Sequence, residues 1–346
     1  MEQTAKKENF IQWFIRKWKS SPIFSTGCVL VLMVILQTVA LGFRDASFGA
    51  WLQRWGKNWI NILRNNAGVG IVALGMTFVI ISGGIDLAVG STLVAVGAVL
   101  MVCVNSYPTG LLTSIGITGV PAFIIGIIAC ILMGCALGGV SGFLIAKQKL
   151  PAFIATLGMM KICRSVTQQV MQTASVKVPT QFLAIANTKI GGQVILPIIY
   201  WLVLAVLLHI ISRKTTFGRH VYAIGSNERT ARLSGINVEK VIAMVYVLSG
   251  IMVSIAAIIQ VARIGSMDYA NAGSGYEMDA IAAVVVGGTS MSGGKGSILG
   301  TVLGMLIIAV MNNLLNLMGV PPFLREAFKG FIVIAAVLLQ KKEKNS

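Results

Sequence analysis

Residues able to do covalent or metal chemistry are scarce in this chain. Asp and Glu together number 11, and there are two histidines, in 346 residues. His209 ends an apolar run and His220 lies in a basic connection, and neither has a cysteine or carboxylate partner at metal-ligand spacing. No Ser/His/Asp constellation is recognisable. The nearest imitation of a phosphate-cradling loop, Gly293-Gly294-Lys295-Gly296, has glycine where a Mg²⁺-binding hydroxyl belongs and lacks the correctly spaced first glycine. What remains is polar side chains inside apolar sequence. The clearest is Asp86, in Ser82-Gly83-Gly84-Ile85-Asp86-Leu87-Ala88-Val89-Gly90-Ser91, between the uncharged runs 66–81 and 92–104. A carboxylate so placed must be paired, solvated or used. Two roles are open to it: accepting hydrogen bonds from the free N–H groups of the next half-helix, or touching a solute that crosses the membrane. Lys161, Arg164, Gln168, Gln169, Asn312 and Asn313 are the other polar candidates within apolar segments.

The elements that position these residues follow from composition. The chain is 56% hydrophobic and 11% charged, about half the charged share of an ordinary globular protein. Successive apolar runs of roughly 18 to 25 residues predict an all-α polytopic membrane protein, because hydrocarbon forces each segment to satisfy its own backbone groups. About ten transmembrane helices are expected. Both termini should be cytoplasmic: a basic tail over 1–22, a single transmembrane domain over 23–340 and a second basic tail over 341–346. The run 23–43 follows Lys6, Lys7, Arg16, Lys17 and Lys19 but is too long for a signal peptide and lacks a small-x-small cleavage site, so it is an uncleaved first span.

Helix breaks are also expected. The runs flanking Asp86 are short for full spans, as in helices interrupted within a membrane. Ser292-Gly293-Gly294-Lys295-Gly296-Ser297-Ile298-Leu299-Gly300-Thr301 shares the Ser-Gly-Gly opening and the later Gly-[Ser/Thr]-x-Leu, which points to an internal repeat of the break without its acid. Gly83, Gly84 and Gly90 then serve positive φ or close packing. Trp51, Trp55 and Trp59 at four-residue spacing, with Arg54 and Lys57 between, describe a helix at the membrane interface. Its positive charge on the side counted as outer weighs against that topology. The run 120–145 carries Gly134, Gly138 and Gly142 at four-residue spacing and should be a packed interior helix.

The net charge of +17 is scattered over tails and short connections, the pattern of topology signals and anionic-lipid contact rather than of nucleic-acid binding. Five cysteines lie in or beside apolar runs and read as packing residues. The longest polar connection, 212–240, holds Arg213, Lys214, Arg219, Arg229, Arg232 and Lys240 against Glu228 and Glu239, and is cytoplasmic by the positive-inside bias. Within it Asn227 can cap a helix over 228–234 that Gly235 ends, and Asn237 can cap the next span.

No enzyme is visible, and the intramembrane polar residues suggest transport. A proton- or sodium-driven carrier would hold several carboxylates at membrane depth, whereas Asp86 is the one clear case, so energy should arrive from a partner through the inner connection. An ion-gradient-driven carrier or a channel is the competing class. Four stretches together (residues 83–91, 150–158, 223–227 with 233–236, and 280–290) resemble the ribose/xylose/galactoside class of sugar ABC-transporter permeases, over nearly the whole chain. One departure is Ala88, where many relatives have serine. The resemblance implies a bacterial inner-membrane subunit that imports a monosaccharide or similar small polar solute. Its partners would be cytoplasmic ATP-binding subunits, a periplasmic sugar-binding protein and a second permease copy, the same chain or a relative. ATP and Mg²⁺ would sit on the partner subunits, with no cofactor on this chain. Carried onto this sequence, Asn227, Glu228, Arg229, Arg232, Leu233 and Gly235 form the coupling helix that docks on the ATPase. Gly83, Gly84, Asp86, Gly90, Ser91, Asn312 and Asn313 belong to the substrate pathway or to structural helix breaks.

Overall fold

The computed structural model describes residues 13–14, 16–18, 21–43, 45–108, 110–172, 174 and 176–344, apart from the side chains of residues 22, 333 and 335–344. The N-terminal cations Lys6, Lys7 and Lys19, the residues Arg44 and Thr173 and the side chains of the basic C-terminal tail lie outside the described set.

The fold is all-α, with no strand among the described residues. Numbered from Pro22, the helices are α1 (Pro22–Leu41), α2 (Phe48–Ile81), α3 (Val89–Val104), α4 (Val120–Ala146), α5 (Ala152–Met171), α6 (Thr180–Asn187), α7 (Leu196–Lys214), α8 (Thr216–Ser226), α9 (Glu228–Leu233), α10 (Val238–Ile264), α11 (Tyr276–Val286), α12 (Ile298–Leu317) and α13 (Pro322–Lys344). Among the described residues six of these, α1, α2, α4, α7, α10 and α12, are long and apolar enough to cross a membrane. At 1.5 Å per residue α3 is about 24 Å long, short of a bilayer core of about 30 Å. It is nonetheless buried on almost every side.

Two expectations change. The tryptophan segment is not a separate interfacial helix: α2 runs unbroken for 34 residues, about 51 Å. Its indoles instead tie it to the end of α1, Trp51 Nε1 donating to the Gly42 carbonyl at 2.9 Å and Trp55 Nε1 to Thr38 Oγ1 at 3.1 Å. Nor is α4 interior throughout. Its glycine stripe lies against α10, where a Cβ on Gly134, Gly138 or Gly142 would strike Gly250, Tyr246 or Ala243. Its other face, with Ile124, Ile128 and Leu132, is exposed. Small residues buy close backbone approach on one side, while the aliphatic side is left exposed among the described residues.

α10 is the central post. It packs against α2, α3, α4 and α6, and more than half of its most apolar stretch is buried.

Candidate functional site

α2 ends in a Schellman motif, in which two amides past the helix fold back on its last carbonyls. Gly83, at φ +86°, donates to the Ile80 carbonyl and Gly84 to the Val79 carbonyl, both at 2.9 Å. Positive φ explains a glycine at 83. Gly84 is a glycine for space, since a Cβ there would press on the Tyr246 hydroxyl.

Past these glycines the chain is pinned by α10 and α5. Tyr246 Oη donates to the Ile85 carbonyl at 3.3 Å and Thr156 Oγ1 approaches it at 3.5 Å. Asp86 is buried, accepting from the Ala88 amide and from Ser249 Oγ at 3.0 Å each. It therefore stands at the entrance of α3 in the geometry of an Asx turn and also cross-links α3 to α10. A cavity of about 10 Å³ adjoins it, lined in part by Thr92, Ser141 and Val253. That is room for about one water. Gly90 and Ser91 lie in the first turn of α3, and Gly90 meets the backbone of Gly273, with the Glu277 carboxylate close by.

The second break has the same ending but not at the expected register. Gly288, also at φ +86°, donates to the Val285 carbonyl at 2.9 Å, and Thr289 to that of Val284 at 3.1 Å. Gly287-Gly288-Thr289 is thus the counterpart of Ser82-Gly83-Gly84, and the expected pairing with Ser292-Gly293-Gly294 is corrected. Those later glycines, at φ +81° and +73°, shape a further turn before Ser297 caps α12 through the Gly300 amide at 3.0 Å. The repeat is one of helix ends, with a longer connection in the second copy.

The connection 212–240 folds as its caps dictate. Asn227 Oδ1 accepts from the Thr230 amide and Asn237 Oδ1 from the Lys240 amide, each at 2.9 Å. Gly235, at φ +81°, ends α9 by donating to the Arg232 carbonyl, and Ile236 donates to that of Ala231. Arg232 pairs with Glu228 at 3.2 Å and with Glu239 on α10 at 2.7 Å. The bond to Glu239, then that to Glu228, holds the guanidinium above its ordinary pKa. Arg229 has no ion pair among the described residues, and Leu233 is 82% exposed.

Asn312 and Asn313 do not join the Asp86 group. Asn313 exchanges side-chain hydrogen bonds with Asn58 of α2 at 3.1 and 3.2 Å, while Asn312 Oδ1 is buried without a partner among the described residues. Arg164, one of the polar residues of α5, reaches the carbonyls of Tyr269, Ala270 and Ala272 at 3.2, 3.3 and 2.7 Å. Lys161, Gln168 and Gln169 are exposed. Sequence reasoning missed Tyr246, Ser249 and Thr156. The local hint for the first two was a tyrosine and a serine inside a long apolar run.

The comparisons agree with this architecture. Residues 58–337 match the family described as "Branched-chain amino acid transport system / permease component". The ribose import permease protein RbsC of Escherichia coli K12 is 39% identical over 96% of this chain and 97% of its own length. Its namesake in Bacillus subtilis 168 is 41% identical over 83% of this chain and 85% of its own. The xylose transport system permease protein XylH of Escherichia coli K12 is 32% identical over 91% and 92%. No solved structure matches. The resemblance drawn from the four motifs is borne out: by the family match and by relatives aligned nearly end to end, the chain belongs to this family of transport-system permease components.

Proposed function

We propose that the chain is the membrane-spanning subunit of an ATP-driven importer that carries a monosaccharide across a bacterial inner membrane. The relatives named for ribose and xylose import support the solute class. The observation that carries the energy source is α9. A six-residue helix is far too short to persist alone. Yet this one is capped at both ends and ion-paired to α10 through Arg232, with Arg229 and Leu233 left facing outward. That is a rigid handle for a partner. Arg232, carried over as part of this helix, serves as the staple behind it, paired with Glu239 of α10.

In this reading the connection 212–240 and both termini are cytoplasmic. Two ATP-binding subunits bind ATP and Mg²⁺ and grip α9, this chain having no nucleotide site of its own. A periplasmic sugar-binding protein delivers the solute, and a second permease copy completes the pathway. Asp86 holds α3 to α10 beside a cavity with room for about one water, too small for a monosaccharide. Opening requires nucleotide to bind one arrangement of the assembly more tightly than the other.

Co-expression with the cognate ATP-binding subunits and binding protein in a host lacking pentose permeases tests the reading. Uptake of labelled ribose or xylose is expected with the wild-type chain. With Leu233→Glu, uptake should fall about tenfold or more while the permease still reaches the membrane and no longer retains the ATPase on purification. Full uptake by Leu233→Glu would refute the assignment of α9.

A further inference from the structure

The turn just before α9 touches both helix breaks. At the end of α2 three of the four terminal carbonyls are satisfied locally, those of Phe78, Val79 and Ile80 by Ser82, Gly84 and Gly83. The fourth, Ile81, accepts from Gly294 of the second break at 2.9 Å. The two breaks, 213 positions apart (294 − 81), are therefore joined backbone to backbone. The last turn of α8 lies over this bond. A Cβ at Gly225 would collide with both the Ile81 carbonyl oxygen and the Gly294 amide nitrogen, and one at Gly294 would press on Ser226. Gly293 approaches the Gly225 carbonyl in the same way. One turn earlier, Tyr222 Oη donates to the Gly296 carbonyl at 2.9 Å. Asn227, next in the chain, is the cap of α9.

Contacts of this kind transmit displacement. With no side chain between the backbones there is nothing to re-rotamer and absorb a shift, and close-packed interiors pass strain on. Pulling Gly294 from Ile81 alone would leave a helix-terminal carbonyl unpaired.

Resting on the ATP-driven reading, we propose that Tyr222 and Gly225 are positioning residues for transport. They hand movement of the docking helix α9 to both breaks at once, so that α3 and α12, which start beyond the breaks, shift together. Residues that merely fill space between α8 and the breaks would matter for folding alone.

The test uses the full permease with its ATP-binding subunits in lipid nanodiscs. Ser292→Cys, at an exposed position of the second break, reports by its rate of reaction with a membrane-impermeant maleimide, with and without a non-hydrolysable ATP analogue. This readout does not depend on which sugar is carried. In the otherwise wild-type chain nucleotide should change the rate about fivefold or more. With Tyr222→Phe, which removes one hydroxyl, or Gly225→Ala, the ratio should fall toward one while the ATPase stays bound and still binds the analogue. If Gly225→Ala does not fold, Tyr222→Phe decides. A ratio equal to the parent's in the assembled variants overturns the proposal, as does a parent whose label ignores nucleotide although the ATPase is bound. Failure of the ATPase to co-purify at all would instead strike the ATP-driven reading itself.

Discussion

At the scale of single residues, Asp86 ties the first break to α10. Its two oxygens serve an amide two residues on and a hydroxyl 163 positions away. Asp86→Ala leaves both donors unpaired in a buried place, at about 1–3 kcal/mol each. Asp86→Asn keeps one acceptor, and Ser249→Ala strands only part of the carboxylate. Thermal midpoints in detergent should therefore fall most for Asp86→Ala, with Asp86→Asn and Ser249→Ala nearer the wild type. If Asp86→Asn abolished uptake at unchanged midpoint and yield, direct contact with the solute would be the better assignment. The expected cap takes the form of an Asx turn: Asp86 accepts from the Ala88 amide just ahead of α3, whose own first turn has no side-chain cap. Ser249 was not legible in the sequence: nothing in a linear pattern says which serine of a long apolar run meets Asp86.

At the scale of elements, the short helix and the glycine contacts make different predictions. Removing the cap acceptor with Asn227→Ala should cost about 1 kcal/mol, which in a helix of six residues appears as faster amide exchange over 228–233 than over the neighbouring α10. Gly138→Val drives a branched side chain into the backbone of Tyr246. Overpacking of that kind costs about 1–3 kcal/mol or more, so lower yield and a lower midpoint are expected, whereas the same change at Gly139, whose nearest neighbour is a Val247 methyl, should be mild. Both helix caps in the connection 212–240 were readable because caps are written within four residues. The repeat was readable as an idea but not in register. Ser-Gly-Gly occurs twice as composition, yet within the two breaks it is Gly83 and Gly288 that close a helix, and that depends on where the preceding helix stops.

On the scale of the whole molecule, composition alone carried the class: an apolar chain with few charges has to be a helical membrane protein. The length of α2 was harder to see, since charged and tryptophan-rich sequence runs without a break into apolar sequence and hydropathy marks a boundary that the backbone ignores. The one-sided burial of α4 was hidden for a related reason, because glycine spacing shows where a helix packs and not what faces the other way. Tertiary contacts supply the rest. α10 carries the partners of both Asp86 and Arg232, on Ser249 and Glu239, so the first break and α9 share one support.

The central claim is that this subunit moves a monosaccharide on energy delivered by partner ATPases. Proteoliposomes test it, loaded with the permease and its ATP-binding subunits, with the binding protein and labelled ribose or xylose on the opposite side. Uptake is predicted only with ATP on the ATPase side, and none from the permease alone under a proton or sodium gradient. Accumulation by the permease alone under such a gradient would contradict the account.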